Sequence, residues 1–315
     1  MDALSRLLVL YPVRSALDVR CEFGAPWRIA EGVAAEGVAP YHMVLAGPAW
    51  LAVGESAPRP MQAGDIVVLP HGSAHCLYTD GDAAALPVRE RGRNHAVRVV
   101  ENEGATERAE ILCGQFRFEG QAARGLLLGL PAALVVSTEQ REDLAGLRAL
   151  MGLLRSETAA ARPGASVVVA QLASALFAMV MRAWLEQDEA AAAPGWFGLL
   201  AEARLQPALA AMLAEPGAAW SLEALAQRCH MSRATFARVF RQAAGTTPGE
   251  VLQRIRIAQA ARNLMQGSDS VAAVGESVGY QSEAAFHRAF KRSFGVGPGS
   301  YRRQARTDAT QSEAA

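Results

Sequence analysis

Two hydrophobic rhythms run along the chain. Between residues 21 and 118, short apolar runs are punctuated by Gly and Pro: YHMVLAG (41–47), AWLAVGE (49–55), DIVVLP (65–70) and ILCGQFRF (111–118). This is the pattern of short strands in an all-β unit, and it predicts an antiparallel β-barrel over about 15–135. Residues 80–110 are charged and without clear period, so they are expected to form a mobile loop, with His95 a plain loop residue. After LPAALVV (130–136) the rhythm becomes helical. Residues 143–157 and 166–186 carry apolar positions at helical spacing, broken by ARPG at 161–164, and together predict a helical segment over about 141–187. EQDEAAAAPG (186–195) reads as a linker, helical patterns continue to about Tyr301, and the tail 302–315 is expected to fray. The expected class is α+β: residues 1–190 hold the barrel and its helical segment, and 196–305 form an all-α domain.

Inside the all-α domain one helix is written twice. SRATFARVF (232–240) and SEAAFHRAF (282–290) share Ser, Ala, Phe, Arg and Phe at the same five offsets. Each stretch is the second helix of a helix-turn-helix plan. In the first copy Ser221 caps a helix with Leu222, Leu225 and Ala226 on its apolar face, and CHM (229–231) makes the turn. Ser232 then caps a helix that buries Phe236, Val239 and Phe240 and stops at Gly245. In the second copy Val271, Val274 and Val278 form the first apolar face and VGY (278–280) the turn; Ser282 is the cap, and Phe286, Ala289, Phe290 and Phe294 the buried stripe. PGEVLQRIRIAQAARNLM (248–265) predicts a stiff connecting helix. Such units place their second helix in the DNA major groove, and two on one connector would sit about one helical turn of DNA apart.

Charge agrees with this reading. The net formal charge is zero, but residues 1–195 carry 17 basic and 22 acidic side chains, and residues 196–315 carry 14 and 9. A basic C-terminal part suits a polyanionic partner. The start, MDALSRLLVLYPVR, lacks a basic leader, and the apolar stretch 166–185 is interrupted by Gln171, Ser174 and Arg182. Four irregularly spaced cysteines read as reduced thiols. A cytoplasmic protein with no membrane partner is expected.

Residues 205–303, including VGYQSEAAFHRAFKRSFGVGPGSYRR, resemble the DNA-binding domain of the AraC/XylS family of bacterial transcription regulators. That resemblance implies double-stranded promoter DNA and RNA polymerase as partners. The exposed positions on the paired helices are the expected DNA contacts: Ser232, Arg233, Thr235 and Arg238 in the first, Ser282, Glu283, His287 and Arg288 in the second. Arg238 and Arg288 occupy equivalent offsets and suit guanine, while Ala234 and Ala284 suit thymine methyls. Arg254, Arg256, Lys291, Arg292, Arg302 and Arg303 are assigned to phosphate or to plain solvated charge.

GDIVVLPHGSAH (64–75) resembles the second cupin motif, with Gly64, Pro70, Gly72 and His75 in place. YHMVLAG keeps His42 of the first motif but lacks the second His and the following Glu, which argues against a cupin enzyme. The layout is similar to the cupin-type sensory domain on one branch of the AraC regulators, which implies a homodimer formed through 143–187. That branch implies redox thiols at Cys21 and Cys113, responding to reactive chlorine species such as HOCl. A sensor thiol is expected to have a lowered pKa and some solvent access, and its oxidation leads through a sulfenic acid to a disulfide. Cys21, His42, His75 and Cys113 also make a donor set for tetrahedral zinc, provided the fold brings them together. Cys76, His71, Cys229 and His230 are read as packing or surface residues. The expected protein is a transcriptional activator and not an enzyme. The alternatives are a regulator holding a small organic effector or a metal in its barrel, and a cupin enzyme fused to a DNA-binding domain.

Overall fold

The computed structural model describes residues 1–79, 84–118, 124–127, 129–187, 189–190 and 193–313, with side chains to residue 304 and at 307. The chain divides into two compact units. One comprises Val13–Phe118 and Leu130–Gln187; the other comprises Met1–Pro12, Glu119–Gly129 and Asp188–Ala315.

After helix α1 (Ala3–Leu10), which belongs to the second unit, eleven strands follow among the described residues: β1 (Val13–Ala25), β2 (Arg28–Glu31), β3 (Val38–Ala46), β4 (Ala49–Val53), β5 (Arg59–Met61), β6 (Asp65–Val68), β7 (His75–Tyr78), β8 (Arg89–Arg93), β9 (Arg98–Glu101), β10 (Thr106–Phe118) and β11 (Leu134–Ser137). They form two separate sheets, ordered β11-β6-β3-β10-β1-β9-β8 and β2-β7-β4-β5. The expected closed barrel is therefore wrong: among the described residues the strands make an open two-sheet sandwich. Closure needs edge strands that can pair, and these edges cannot easily do so. β5 has three residues and contains Pro60, which lacks a backbone donor, and all five residues of β8, RERGR, are exposed. The pairing is not purely antiparallel either, because β9 runs parallel to β1. β8 and β9 also replace much of the expected 80–110 loop; residues 80–83 lie outside the described residues.

One apolar cluster draws Cys21, Phe23, Val44, Val67, Ile111 and Cys113 from the large sheet and Leu51, Val53, Met61 and Leu77 from the small one. Strand alternation sends the intervening residues to the opposite face. There Tyr41 stacks on Phe116 at 4.4 Å, and Phe116 meets Phe177 of the helical segment at 4.9 Å. That segment is α2 (Ala145–Ala159) and α3 (Ala165–Leu185), packed on each other and on the large sheet. α3 is long and apolar enough to cross a membrane, but Val169, Ala173, Leu176, Phe177, Val180 and Trp184 are buried in this packing.

The second unit is helical: α1, α4 (Trp196–Ala201), α5 (Gln206–Ala214), α6 (Leu222–Arg228), α7 (Arg233–Ala244), α8 (Pro248–Gln266), α9 (Val271–Ser277), α10 (Glu283–Phe294) and α11 (Pro298–Glu313). α1 packs on α5 and α8, with Leu7 and Tyr11 buried, the Tyr11 ring 5.6 Å from that of Trp196, and Arg262 donating to the Val9 carbonyl at 3.1 Å. The tail expected to fray instead extends α11 to Glu313.

Candidate nucleic-acid interface and thiol–imidazole cluster

The two helix-turn-helix units are α6–α7 and α9–α10, joined by α8. Their starts are set by side-chain caps: Ser221, Ser232, Ser270 and Ser282 each accept from the backbone N–H three residues on, at 3.1–3.3 Å. Thr247 and Glu250 form a reciprocal capping box at the start of α8. Gly245 and Gly295 end α7 and α10 with φ of 68° and 75°, where a glycine avoids the Cβ penalty. The turns differ by one residue. Met231 N–H bonds the Ala226 carbonyl and Tyr280 N–H bonds that of Gly275, an offset of 49, whereas the caps Ser232 and Ser282 are 50 apart. The second turn is therefore one residue longer.

Phe236 and Phe240 are buried in the first unit, Phe286 and Phe290 in the second. Ser232, Arg233, Thr235, Arg238, Ser282, Glu283, His287 and Arg288 are all exposed on α7 and α10 or at their caps. Arg233 pairs with Glu223 at 3.6 Å and His287 lies 3.5 Å from Glu283, while Arg238 and Arg288 have no ion pair among the described residues. The structure also sorts the remaining basic side chains. Arg256 donates to the carbonyls of Pro216 and Ala218 at 2.7 and 2.9 Å, and Arg302 to those of Leu264 and Asp269 at 3.3 and 2.5 Å. These two clasp the fold, contrary to their assignment to phosphate or solvent. Lys291 and Arg292 are exposed on α10.

Between the sheets of the first unit, five residues line up. Cys21 (β1), Cys113 (β10) and His42 (β3) come from adjacent strands of the large sheet; His75 (β7) and Glu31 (β2) come from a register pair of the small one. The sulfurs of Cys21 and Cys113 are 3.9 Å apart, and Cys113 Sγ is 3.1 Å from His42 Nδ1. His42 Nε2 is 2.7 Å from His75 Nε2, and His75 Nδ1 is 2.8 Å from the Ser73 carbonyl. Glu31 reaches within 3.7 Å of His75.

A carbonyl only accepts, so His75 Nδ1 carries a proton. With both rings uncharged, His42 Nε2–H donates to His75 Nε2, and His42 Nδ1 is left to accept from the Cys113 thiol. Burial, and secondarily the neighbouring His75, hold His42 down at about 3, so its ring is neutral at ordinary pH. The thiols differ from the sequence expectation. Both are buried, and the Cys113 thiol is pushed well above its usual value, first by the hydrogen bond with Cys21 and then by burial.

Glu31, His42 and His75 form a group able to hold a metal ion, their ligand atoms lying within 4.8 Å of one another. The expected set Cys21, His42, His75 and Cys113 is contiguous but linear: one His42 nitrogen faces the thiols and the other faces His75. An ion bound at Nε2 would sit with His75 and Glu31, away from the sulfurs. Glu31 carries no local sequence signal; only the pairing of β2 with β7 brings it to His75. His71, bonded to the Leu130 carbonyl at 2.8 Å, and Cys76, which accepts from Arg28 at 3.0 Å, stand outside the cluster.

Two capped helix-turn-helix units on one connector, in a chain that also carries a β-sandwich with a buried polar cluster, define a DNA-binding regulator with a separate input domain. Models of known families agree: one described as Cupin matches residues 2–186 and one described as Helix-turn-helix domain matches residues 225–304. The chain is 34% identical over 307 residues to the RCS-specific HTH-type transcriptional activator RclR of Escherichia coli (strain K12), covering 97% of this chain and 99% of that one. It is 31% identical over 309 residues to the HTH-type transcriptional regulator MtrA of Neisseria gonorrhoeae, covering 96% and 99%. Among solved structures, the DNA-binding domain of AdpA in complex with a target DNA matches 34% of this chain and 97% of its own, at 34% identity and a TM-score of 0.32. The chain belongs to the AraC/XylS family of helix-turn-helix transcriptional regulators with an N-terminal cupin domain. Its full-length relatives are regulators and not enzymes, so the enzyme alternative is set aside.

Proposed function

We propose that the protein is a cytoplasmic transcriptional activator that senses reactive chlorine species through Cys21 and Cys113. The carrying observation is the sulfur pair, 3.9 Å apart on adjacent strands, in a chain similar over nearly its whole length to an RCS-specific activator. HOCl is small and uncharged, so burial excludes it less than it excludes larger oxidants. One sulfur takes chlorine from HOCl as its proton leaves in water; the second sulfur then displaces chloride and releases its own proton. Two thiols and one HOCl thus give one disulfide, water, chloride and a proton.

An S–S bond of about 2.05 Å draws the two sulfurs, on the paired strands β1 and β10, together by roughly 2 Å. β10 also carries Phe116, which stacks on Tyr41 and meets Phe177 of α3 at a tilt, so a shift of β10 is passed to the helical segment. Leu153, Val167 and Val168 are exposed apolar residues on α2 and α3, and they support homodimerisation through this segment. The shift between two conformations changes how the DNA-binding unit engages promoter DNA and RNA polymerase. In a reporter assay, Cys21→Ser abolishes induction by hypochlorite and leaves basal DNA binding intact. Undiminished induction would reject the thiol mechanism.

One observation favours a second reading, in which a metal is the effector: the grouping of Glu31, His42 and His75. Zinc would take His42 Nε2, His75 and Glu31, leaving the thiols on the other side of the His42 ring. Glu31→Ala would then weaken zinc binding, measured by calorimetry on the reduced protein, without altering its thiol titration.

A further inference from the structure

The two helix-turn-helix units share one connector, α8, and their relative spacing depends on what holds each unit to it. α8 packs against both halves. On one side the halves leave a cleft of about 890 Å³, walled by Trp220 and Ser221 from the first and by Gly275, Glu276 and Tyr280 from the second. Across this cleft lies one backbone-to-backbone approach. The turn before α6 (216–218) meets the turn after α9 (277–279) so closely that a Cβ on Gly217 would lie 2.4 Å from the Ser277 carbonyl oxygen. A Cβ on Gly279, whose φ is +88°, would lie 2.7 Å from the Gly217 oxygen and 2.9 Å from Arg256 Nη2. Arg256 donates to the carbonyls of Pro216 and Ala218 at 2.7 and 2.9 Å and so ties the first turn to α8, with its Nη2 packed beside Gly279 of the second turn.

We infer that Gly217, Gly279 and Arg256 form a latch that fixes the spacing and angle between α7 and α10, and so sets which separation of DNA half-sites the protein accepts. Three features carry this beyond ordinary packing. Both contact points are glycines at distances no side chain would tolerate. Half-buried Arg256 directs two guanidinium nitrogens to two carbonyls of the neighbouring turn, and a guanidinium makes such paired bonds with fixed geometry. The latch also joins the segment leading into the first unit to the turn of the second, so opening it lets the halves pivot about α8. Arg256 is a positioning residue; it reads no base.

The inference rests on the DNA-binding reading above, and its test separates the two. A duplex is selected with the full-length wild-type protein from a randomised pool, then remade with one base pair added or removed between the half-sites, and with one half-site scrambled. One base pair shifts the second half-site by about 3.4 Å along the axis and rotates it about the axis. Wild type should lose about tenfold or more in affinity on either altered spacing. Arg256→Ala should bind the parent duplex about tenfold more weakly, hold the three spacings within about threefold, and match wild type on the single half-site. Arg256→Lys, reaching one carbonyl, should fall between. Gly217→Ala separates the turns without removing a charge and should flatten the profile in the same way. Retention of the wild-type spacing preference by Arg256→Ala or by Gly217→Ala overturns the latch, whatever the absolute affinity. Failure of the wild type to select any duplex would overturn the DNA reading itself.

Discussion

Gly275 provides a quantitative test of how the second reading unit is packed. It lies on α9, where an alanine methyl would stand 2.9 Å from Phe286 Cδ1, 3.0 Å from Cγ and 3.3 Å from Cβ. Two effects oppose each other. Alanine is the better helix former and gains about 0.5–1 kcal/mol over glycine inside a helix. Overpacking a filled core costs about 1–3 kcal/mol. The ring has little room to retreat, because Phe286 is fully buried with Tyr280 and Phe290 at 5.4 and 5.6 Å. The collision should win, leaving Gly275→Ala destabilised by about 1 kcal/mol, or about fivefold in the folded-to-unfolded ratio. The first unit supplies the control: Ala226 holds the corresponding place, bonding Met231 as Gly275 bonds Tyr280. Ala226→Gly should therefore also destabilise, here through lost propensity. Urea unfolding of the full-length protein by far-ultraviolet circular dichroism reads both. A higher urea midpoint for Gly275→Ala would refute the packing argument.

Further consequences are as direct. Arg288→Ala should cost about 1–3 kcal/mol on the selected duplex and little on random DNA, because the side chain is exposed and has no ion pair among the described residues; equal loss on both in a fluorescence-anisotropy titration would reject base reading there. His42 is held down at about 3 in the folded protein, so between that pH and about 6.5 the unfolded chain binds the extra proton and stability rises with pH. Its contribution is complete above about pH 6.5 and falls by about 3 kcal/mol on going to pH 4.5. Urea midpoints at the two pH values should show this loss, and His42→Gln should reduce the slope; an unchanged slope would contradict the burial of a neutral ring.

The DNA-reading half was legible in the sequence because local chemistry dictates it. Ser221, Ser232 and Ser282 cap where they were expected to, and Phe236, Phe240, Phe286 and Phe290 fill the core at helical spacing. What escaped were facts of pairing between distant segments. The charged run RERGR lacks the apolar alternation that marks a half-buried strand, since as β8 it is an exposed edge. The longer second turn was hidden because the matching stretches begin after it. Arg256 looked like any other basic residue until the 216–218 turn was brought beneath it. In the sandwich, the motifs supplied His42 and His75, and β1/β10 pairing placed Cys21 near Cys113. The separation of these strands into two sheets depends on the edge chemistry of β5 and β8, which lie far apart in the chain, and Glu31 joins the cluster only through register.

The most direct measurement is peptide mapping by mass spectrometry of the reduced full-length protein, before and after one equivalent of hypochlorite. A single new cross-linked species should appear, joining the peptides that contain Cys21 and Cys113, with Cys76 and Cys229 still alkylatable. Oxidation falling first on Cys76 or Cys229, with Cys21 and Cys113 left as free thiols, would contradict the thiol mechanism.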